Sequence, residues 1–175
     1  MIDVKKMDNA IIHRLFLILL PPLGEETNSE IDISLGLVLK NNPDVLITIG
    51  TDMNDIWSPI INEEPIPLFS FNEFDFIKRV GLWMKQELND AIALEYYDFT
   101  NSENFKEIVG KKIEEIELLM IEGNPDPFGI RFVFENDFII SFPNSDGNTI
   151  VTKKFNDNIN LKNFNHLGKV CFKRV

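Results

Sequence analysis

The sequence predicts a single α+β domain made of two related antiparallel β-meanders with one main amphipathic helix between them. Three observations predict this class: a length of 175 residues, an internal repeat of β-prone segments, and one stretch with helical spacing. A chain of this length fits one compact domain, which buries about 70% of its unfolded surface. We therefore expect one domain over residues 1–175, with repeat halves at about 1–62 and 108–156 and a helical connection at about 70–110.

The repeat appears when the chain is aligned with itself. Residues 36–49 align without a gap on residues 129–142, so that Gly36 meets Gly129 and apolar residues coincide along both copies. Each copy has two β-prone runs around a polar turn, which predicts a β-hairpin. An apolar run precedes each hairpin and an Asp-x-Asn-x-Ile sequence follows it, at 15–20 and 116–121 and at 52–56 and 146–150. Each half is therefore predicted to be a three-stranded meander that a fourth strand extends.

Helical spacing follows the first half. Ser70 and Glu73 have the spacing of a capping box, in which two side chains satisfy free amides of the first helical turn. Apolar residues then recur at intervals of three and four, which predicts an amphipathic helix over about 71–90 packed on a sheet. Its expected apolar face comprises Phe74, Ile77, Gly81, Met84 and Leu88, widened by Val80 and Trp83. A strand at about 91–97, a short helix from about 100 to 110 and a last strand at 167–175 complete the prediction.

The charge balance limits the classes of partner. The chain has 17 basic and 28 acidic residues, a net charge of −11. Nucleic acid and anionic membranes attract clustered lysine and arginine, and the basic clusters here are only two residues long. No apolar run approaches the roughly 20 residues of a membrane span, and the single Cys171 has no internal disulfide partner. We therefore expect a cytoplasmic protein whose acidic surface attracts a basic protein, with no nucleic acid or membrane as a partner.

Residue types that carry catalysis or bind metal are scarce. His13, His166 and Cys171 are the only histidines and cysteine, and none has the spacing of a zinc site. No phosphate-binding loop, dinucleotide fingerprint or nucleophile elbow occurs. The sequence therefore predicts no catalytic residue, no metal ligand and no cofactor. Two other functions remain open: a small-ligand-binding protein or enzyme with a site between the two meanders, and a structural or assembly subunit that uses an exposed strand edge.

Candidate partner-binding residues come from two irregular segments. The loop from Pro21 to Ser34 is long in the first half and short in the second, and long surface loops often carry binding residues. A second segment places an aromatic residue and two acidic residues among prolines. A tryptophan beside acidic residues suits an anchor for a basic partner. The predicted partner-binding residues are Glu25, Glu26, Glu30, Asp32, Trp57, Glu63 and Glu64.

The second half resembles a known type of protein. Residues 108–113, 129–140 and 146–147 resemble a strand-hairpin pattern of small acidic bacterial proteins, many of which are immunity proteins of polymorphic toxin systems or belong to uncharacterised families beside them. The resemblance covers about 40 residues of the β-meander and includes no site residues. It implies a non-enzymatic protein that binds and neutralises a basic partner such as a toxin.

Overall fold

Most of the described chain forms β-strands arranged in two sheets. The computed structural model describes residues 4–20, 31–52, 58–85, 87–88, 94–144 and 147–175. Short 3-10 turns lie at Val4–Met7 and Leu161–His166. The one α-helix and the eleven strands in these ranges are β1 (Ile12–Leu20), β2 (Asp32–Leu39), β3 (Asn42–Thr51), β4 (Pro59–Pro65), β5 (Phe71–Asn72), α1 (Glu73–Met84), β6 (Glu95–Asp98), β7 (Glu115–Ile121), β8 (Pro127–Val133), β9 (Phe138–Asn144), β10 (Gly147–Val151) and β11 (Val170–Arg174).

Strands that are adjacent in sequence are mostly adjacent in space. The first sheet has the order β4-β3-β2-β1-β6-β5, in which only the β5–β6 pair is parallel. The second sheet has the order β10-β9-β8-β7-β11 and is antiparallel throughout. Two largely antiparallel sheets with one main helix form an α+β arrangement, as the sequence predicts.

The main core lies between the two sheets because each inner face carries alternating apolar residues. Both sheets contribute fully buried side chains to it, such as Leu17, Leu37, Ile130 and Ile150. Contacts between β2 and β10, β3 and β9, and β4 and β8 show that the sheets face each other. A ligand site between the sheets would have to fall within this apolar core.

The helix is shorter than predicted and begins differently. Its N-cap is Asn72, whose side chain accepts from the Asp75 amide while the Asp75 carboxylate accepts from the Asn72 amide. The predicted Ser70–Glu73 capping box is therefore wrong by two residues. The helix ends at Met84, and the amide of Lys85 bonds back to the last turn. The short helix expected from about 100 to 110 is also absent, because this described segment makes successive tight turns.

The two aligned hairpins share one feature and differ in another. Gly36 lies opposite Phe16 of β1, and a Cβ on it would stand 3.0 Å from the Phe16 Cβ. Gly129 lies opposite Leu119 of β7, where a Cβ would stand 2.7 Å from a backbone oxygen of β9. The strand registers differ: β2 pairs with β3 one residue out of step with the way β8 pairs with β9. An irregularity after Val38 accompanies the first register.

Candidate functional site

A network of buried polar groups joins the two sheets at one end, which we call the polar end. Asn148 at the start of β10 is 2% exposed. Its side-chain amide donates to the Ile33 carbonyl at 2.8 Å and to the Ser141 hydroxyl at 3.0 Å, and it accepts from the Thr51 hydroxyl at 2.6 Å. Its backbone N–H donates to the Asp32 carboxylate at 2.9 Å. Burial of these groups is tolerated because each has a partner.

Asp32 is half-buried in this network, although the sequence predicts it as a partner-binding residue. Burial raises the pKa of Asp32 above its ordinary value, and the hydrogen bond from the Asn148 amide opposes this effect. Gly147 makes the contact possible, since its φ is +151° and a Cβ there would lie 2.4 Å from the Asp32 carboxyl carbon. The Asp32 carboxylate therefore bonds across the two sheets.

Three acidic connecting segments start and end at the polar end. Leu20 pairs with Asp32 at the limits of segment 21–30. The Asp52 amide bonds to the Ser58 carbonyl at 2.8 Å at the limits of segment 53–57, and Asn144 pairs with Gly147 around 145–146. The charged residues of these segments are all acidic: Glu25, Glu26, Glu30, Asp55 and Asp146.

The charge is distributed unevenly along the chain. Seven of the 28 acidic residues and none of the 17 basic ones fall outside the described ranges, which therefore carry 21 acidic and 17 basic side chains, a net charge of −4. Much of the net charge of −11 thus belongs to segments such as those at the polar end. The predicted residues Glu25, Glu26, Glu30 and Trp57 lie outside the described residues.

Glu63 and Glu64 lie on β4, an edge strand of the first sheet, away from Asp32. Glu63 is exposed. The Glu64 carboxylate accepts from the Thr48 hydroxyl at 3.3 Å and the Tyr96 hydroxyl at 3.4 Å; burial, together with this carboxylate, raises the pKa of Tyr96. Glu64 lies level with Val38, six residues along β2 from Asp32, or roughly 20 Å. The structure therefore does not bring Asp32 together with these two residues.

A second candidate surface lies on α1, where part of the predicted apolar face points outward. Phe74 is 72% exposed, Ile77 67% and Met84 47%. The face that packs on the core instead carries Phe76, Val80 and Trp83. Phe74, Ile77, Gly81 and Met84 form a stripe on one side of the helix, which we call the α1 stripe. The predicted packing is therefore wrong for this stripe, whereas Val80 and Trp83, which the sequence places on the same face, do pack on the core.

A buried ion pair explains this orientation of the helix. Arg79 forms two hydrogen bonds with Glu95 of β6, at 3.1 and 2.5 Å, and the Glu95 side chain is fully buried. The Tyr97 hydroxyl also donates to Glu95, and the Arg79 guanidinium lies 4.6 Å from the centre of the Phe71 ring. Burial and the neighbouring Glu95 raise the pKa of Tyr97, and the Glu95 carboxylate raises that of Arg79. A buried carboxylate requires such partners, so the helix presents Arg79 inward.

Sequence reasoning missed the two polar clusters but contained signals for both. The Asp-x-Asn sequence at 146–148 was noticed as part of the repeat, and it includes Asn148 of the network. Glu95 stands within an apolar, β-prone stretch, which is itself a sign of a buried ion pair. In neither case did the sequence identify the residue that forms the hydrogen bond. Asn148 and Asp32, for example, are 116 residues apart in sequence.

Among the described residues, no group of three or more His, Cys, Asp or Glu side chains is arranged to hold a metal ion. Within the same ranges, no helix has both the length and the apolar character needed to cross a membrane. Comparisons with protein families, with curated proteins and with solved structures find no match for this chain.

Proposed function

We propose that this chain is a non-catalytic, cytoplasmic protein that binds and neutralises a basic protein partner at its polar end, as an immunity protein does with a toxin. The observation that supports the proposal is that the described residues flanking three acidic segments all lie at one end of the sandwich. Residues 21–30, 53–57 and 145–146 contain five acidic residues and no basic residue, and Asp32 and Asp52 flank two of them.

Electrostatics makes this end suitable for a basic partner. Carboxylates concentrated in one region produce a local negative potential. This potential speeds the approach of a cationic partner and disfavours acidic competitors. The potential acts over about 8 Å at physiological ionic strength, so carboxylates spread evenly over the surface would be less effective.

The predicted residues take different roles in this proposal. Glu25, Glu26 and Glu30 supply charge, and Trp57 supplies an aromatic anchor within the second acidic segment. Asp32 has a supporting role because its carboxylate already accepts the Asn148 amide. Glu63 is an exposed charge at some distance, and Glu64 is engaged with Thr48 and Tyr96.

We also infer that the two β-meanders descend from one duplicated unit. Matching glycines opposite the first strand of each half support this history, since both positions leave no room for a Cβ. The duplication would have placed one Asp-x-Asn sequence after each hairpin, and Asn148 of the second copy joins the sheets.

Affinity capture tests the proposed function. The tagged protein is incubated with a lysate of the cells that encode it, washed at about 50 mM or about 500 mM NaCl, and retained proteins are identified by mass spectrometry. We expect one basic protein in stoichiometric amount at low salt and less at high salt, because screening weakens exposed charge pairs. Retention of acidic proteins alone, or of nothing above background, would exclude this function.

A further inference from the structure

The α1 stripe is an exposed apolar surface. Its members lie three or four residues apart, within about 80° of arc around the helix axis. Its three large apolar side chains, Phe74, Ile77 and Met84, are 72%, 67% and 47% exposed. If each exposes on the order of 120 Å², the total is roughly 360 Å², within the range of the largest apolar patch on an ordinary monomer. A patch of this size is often an interaction site.

Two lysines border the stripe on one side. Lys78 and Lys85 are both exposed and lie seven residues apart, which places them about 10 Å apart along the helix axis. Neither side chain forms an ion pair with any residue that the structure describes, although acidic residues outnumber basic ones in the chain. This border therefore offers two cations in a row.

The other border of the stripe does not offer a free anion. Glu73 lies on this side, and its carboxylate accepts from the Ser102 hydroxyl at 2.8 Å and from the Asn104 amide at 3.1 Å. Glu73 keeps its negative charge but is held by these two neutral donors, so the exposed charges that border the stripe are those of Lys78 and Lys85.

The helix that carries the α1 stripe is held against the first sheet. The Arg79–Glu95 ion pair and the Tyr97 hydroxyl bond hold the opposite side of the helix to β6. A surface that is ordered before binding loses little conformational entropy when a partner docks. Gly81 adds a notch in the stripe, since a Cβ there would meet no atom within 4 Å. Such a notch lets a second helix approach closely.

We propose that the α1 stripe binds an amphipathic helix of a protein partner, whose apolar side is bordered by two acidic residues seven positions apart. The apolar side covers Phe74, Ile77 and Met84, and the acidic residues pair with Lys78 and Lys85. The charge preference is opposite to that of the polar end. This is therefore a second surface, and it does not depend on the function proposed above.

Two synthetic peptides test this proposal with the full chain. Both are 18-residue amphipathic helices with the same leucine side, one with glutamates and the other with lysines at two border positions seven residues apart. Isothermal titration calorimetry at about 50 mM NaCl should give a roughly tenfold lower Kd for the glutamate peptide. We expect Ile77→Asp to abolish binding, and the Lys78→Glu/Lys85→Glu variant to reverse the preference.

Matched variants separate the site from general effects. Lys162 and Lys169 are also exposed, seven residues apart and outside α1, so Lys162→Glu/Lys169→Glu should keep the wild-type preference. Leu167 is 61% exposed, and Leu167→Asp should bind as wild type does. Circular dichroism and urea unfolding establish that each variant is folded.

Several results would overturn the proposal. These are equal affinity for the two peptides, no binding of either peptide, or an equal effect of the two double lysine variants. A dimer in sedimentation equilibrium that Ile77→Asp dissociates would overturn it as well, because the stripe would then be covered by a second copy of the chain.

Discussion

The polar end and the α1 stripe use charge and apolar surface in opposite ways. At the polar end, the buried groups are polar and bond to one another, as Asn148 does with Asp32, Thr51 and Ser141. At α1, the buried charges of Arg79 and Glu95 neutralise each other, while Phe74 and Ile77 are exposed.

This difference separates the features that stabilise the fold from those that do not. The Asn148 network and the Arg79–Glu95 pair stabilise the fold, because a buried polar group without a partner is costly. The exposed apolar side chains of the α1 stripe belong to neither cluster. We assign binding to this stripe and to the acidic segments, with opposite charge preferences at the two surfaces.

The largest expected effect comes from the ion pair that orients α1. Glu95→Ala removes the buried carboxylate that pairs with the largely buried Arg79 guanidinium, and we expect a loss of about 3–5 kcal/mol in the free energy of unfolding. Urea denaturation measures it. Glu95→Gln keeps an acceptor for the Tyr97 hydroxyl and should lose less. Equal losses in the two variants would contradict this expectation, because the retained oxygen would then contribute nothing and the lost negative charge would account for the whole effect.

The polar end gives the next largest effect. Asn148→Ala removes the amide that bonds Ile33, Ser141 and Thr51, and we expect a loss of about 2–3 kcal/mol in the free energy of unfolding. Ser141→Ala removes one partner of Asn148 and should lose about 1 kcal/mol. If urea denaturation gave wild-type stability for Asn148→Ala, the network would not hold the sheets together.

Asp32 predicts a pH dependence at the polar end. Its folded pKa is raised, so the folded state binds the proton more tightly than the unfolded state does. The contribution of Asp32 to stability is therefore greatest below the unfolded pKa of about 3.9 and is lost as pH rises through the folded pKa. We expect Asp32→Asn, which retains an oxygen for the Asn148 amide, to gain stability relative to wild type between about pH 3 and pH 7. Urea denaturation across this range measures the difference in the free energy of unfolding between Asp32→Asn and wild type. A difference that becomes smaller as the pH rises would contradict the prediction.

The smallest expected effect concerns the α1 stripe. Ile77→Asp replaces an exposed side chain and should change the free energy of unfolding by less than about 0.5 kcal/mol. Val80→Asp, one turn along on the packed side, should lose several-fold more because Val80 contacts the core. Thermal and urea unfolding compare the two. Similar losses of unfolding free energy in both variants would show that Ile77 is packed against the core rather than exposed.

The sequence predicted strands well and the helix less well. Runs of apolar, β-prone residues located β1, β2 and β3, because strands in a packed sheet must bury apolar side chains. The order of strands within each sheet depends on long-range pairing that no local pattern contains. Apolar residues occur around most of α1, including Phe74, Phe76, Ile77 and Val80, so spacing alone did not indicate which side packs. The contact between Arg79 and Glu95 decides it.

The candidate sites were predicted only in part. Charge balance pointed to acidic loops, and Asp32 was assigned to binding on that basis. Its half-buried position depends on Asn148 and Gly147, which approach it only in the folded chain. The α1 stripe was recognised as apolar from its spacing, but its exposure is a tertiary property. Local patterns therefore identified which side chains matter. The contacts that those side chains make depend on the tertiary fold.

Charge reversal at two ends of the molecule tests the central claim most directly. One variant carries Glu25→Lys, Glu26→Lys and Glu30→Lys at the polar end. Its matched control reverses three exposed acidic residues at the opposite end of the strands, with Asp44→Lys, Glu114→Lys and Glu135→Lys. Both variants have the same net charge, so they separate a local site from the total charge.

The measurement is the Kd of each variant for the basic protein that wild type captures, determined at about 150 mM NaCl. The account predicts that the polar-end variant binds at least tenfold more weakly than wild type, while the matched control changes by less than about threefold. Equal weakening of both variants, or no weakening at the polar end, would contradict it.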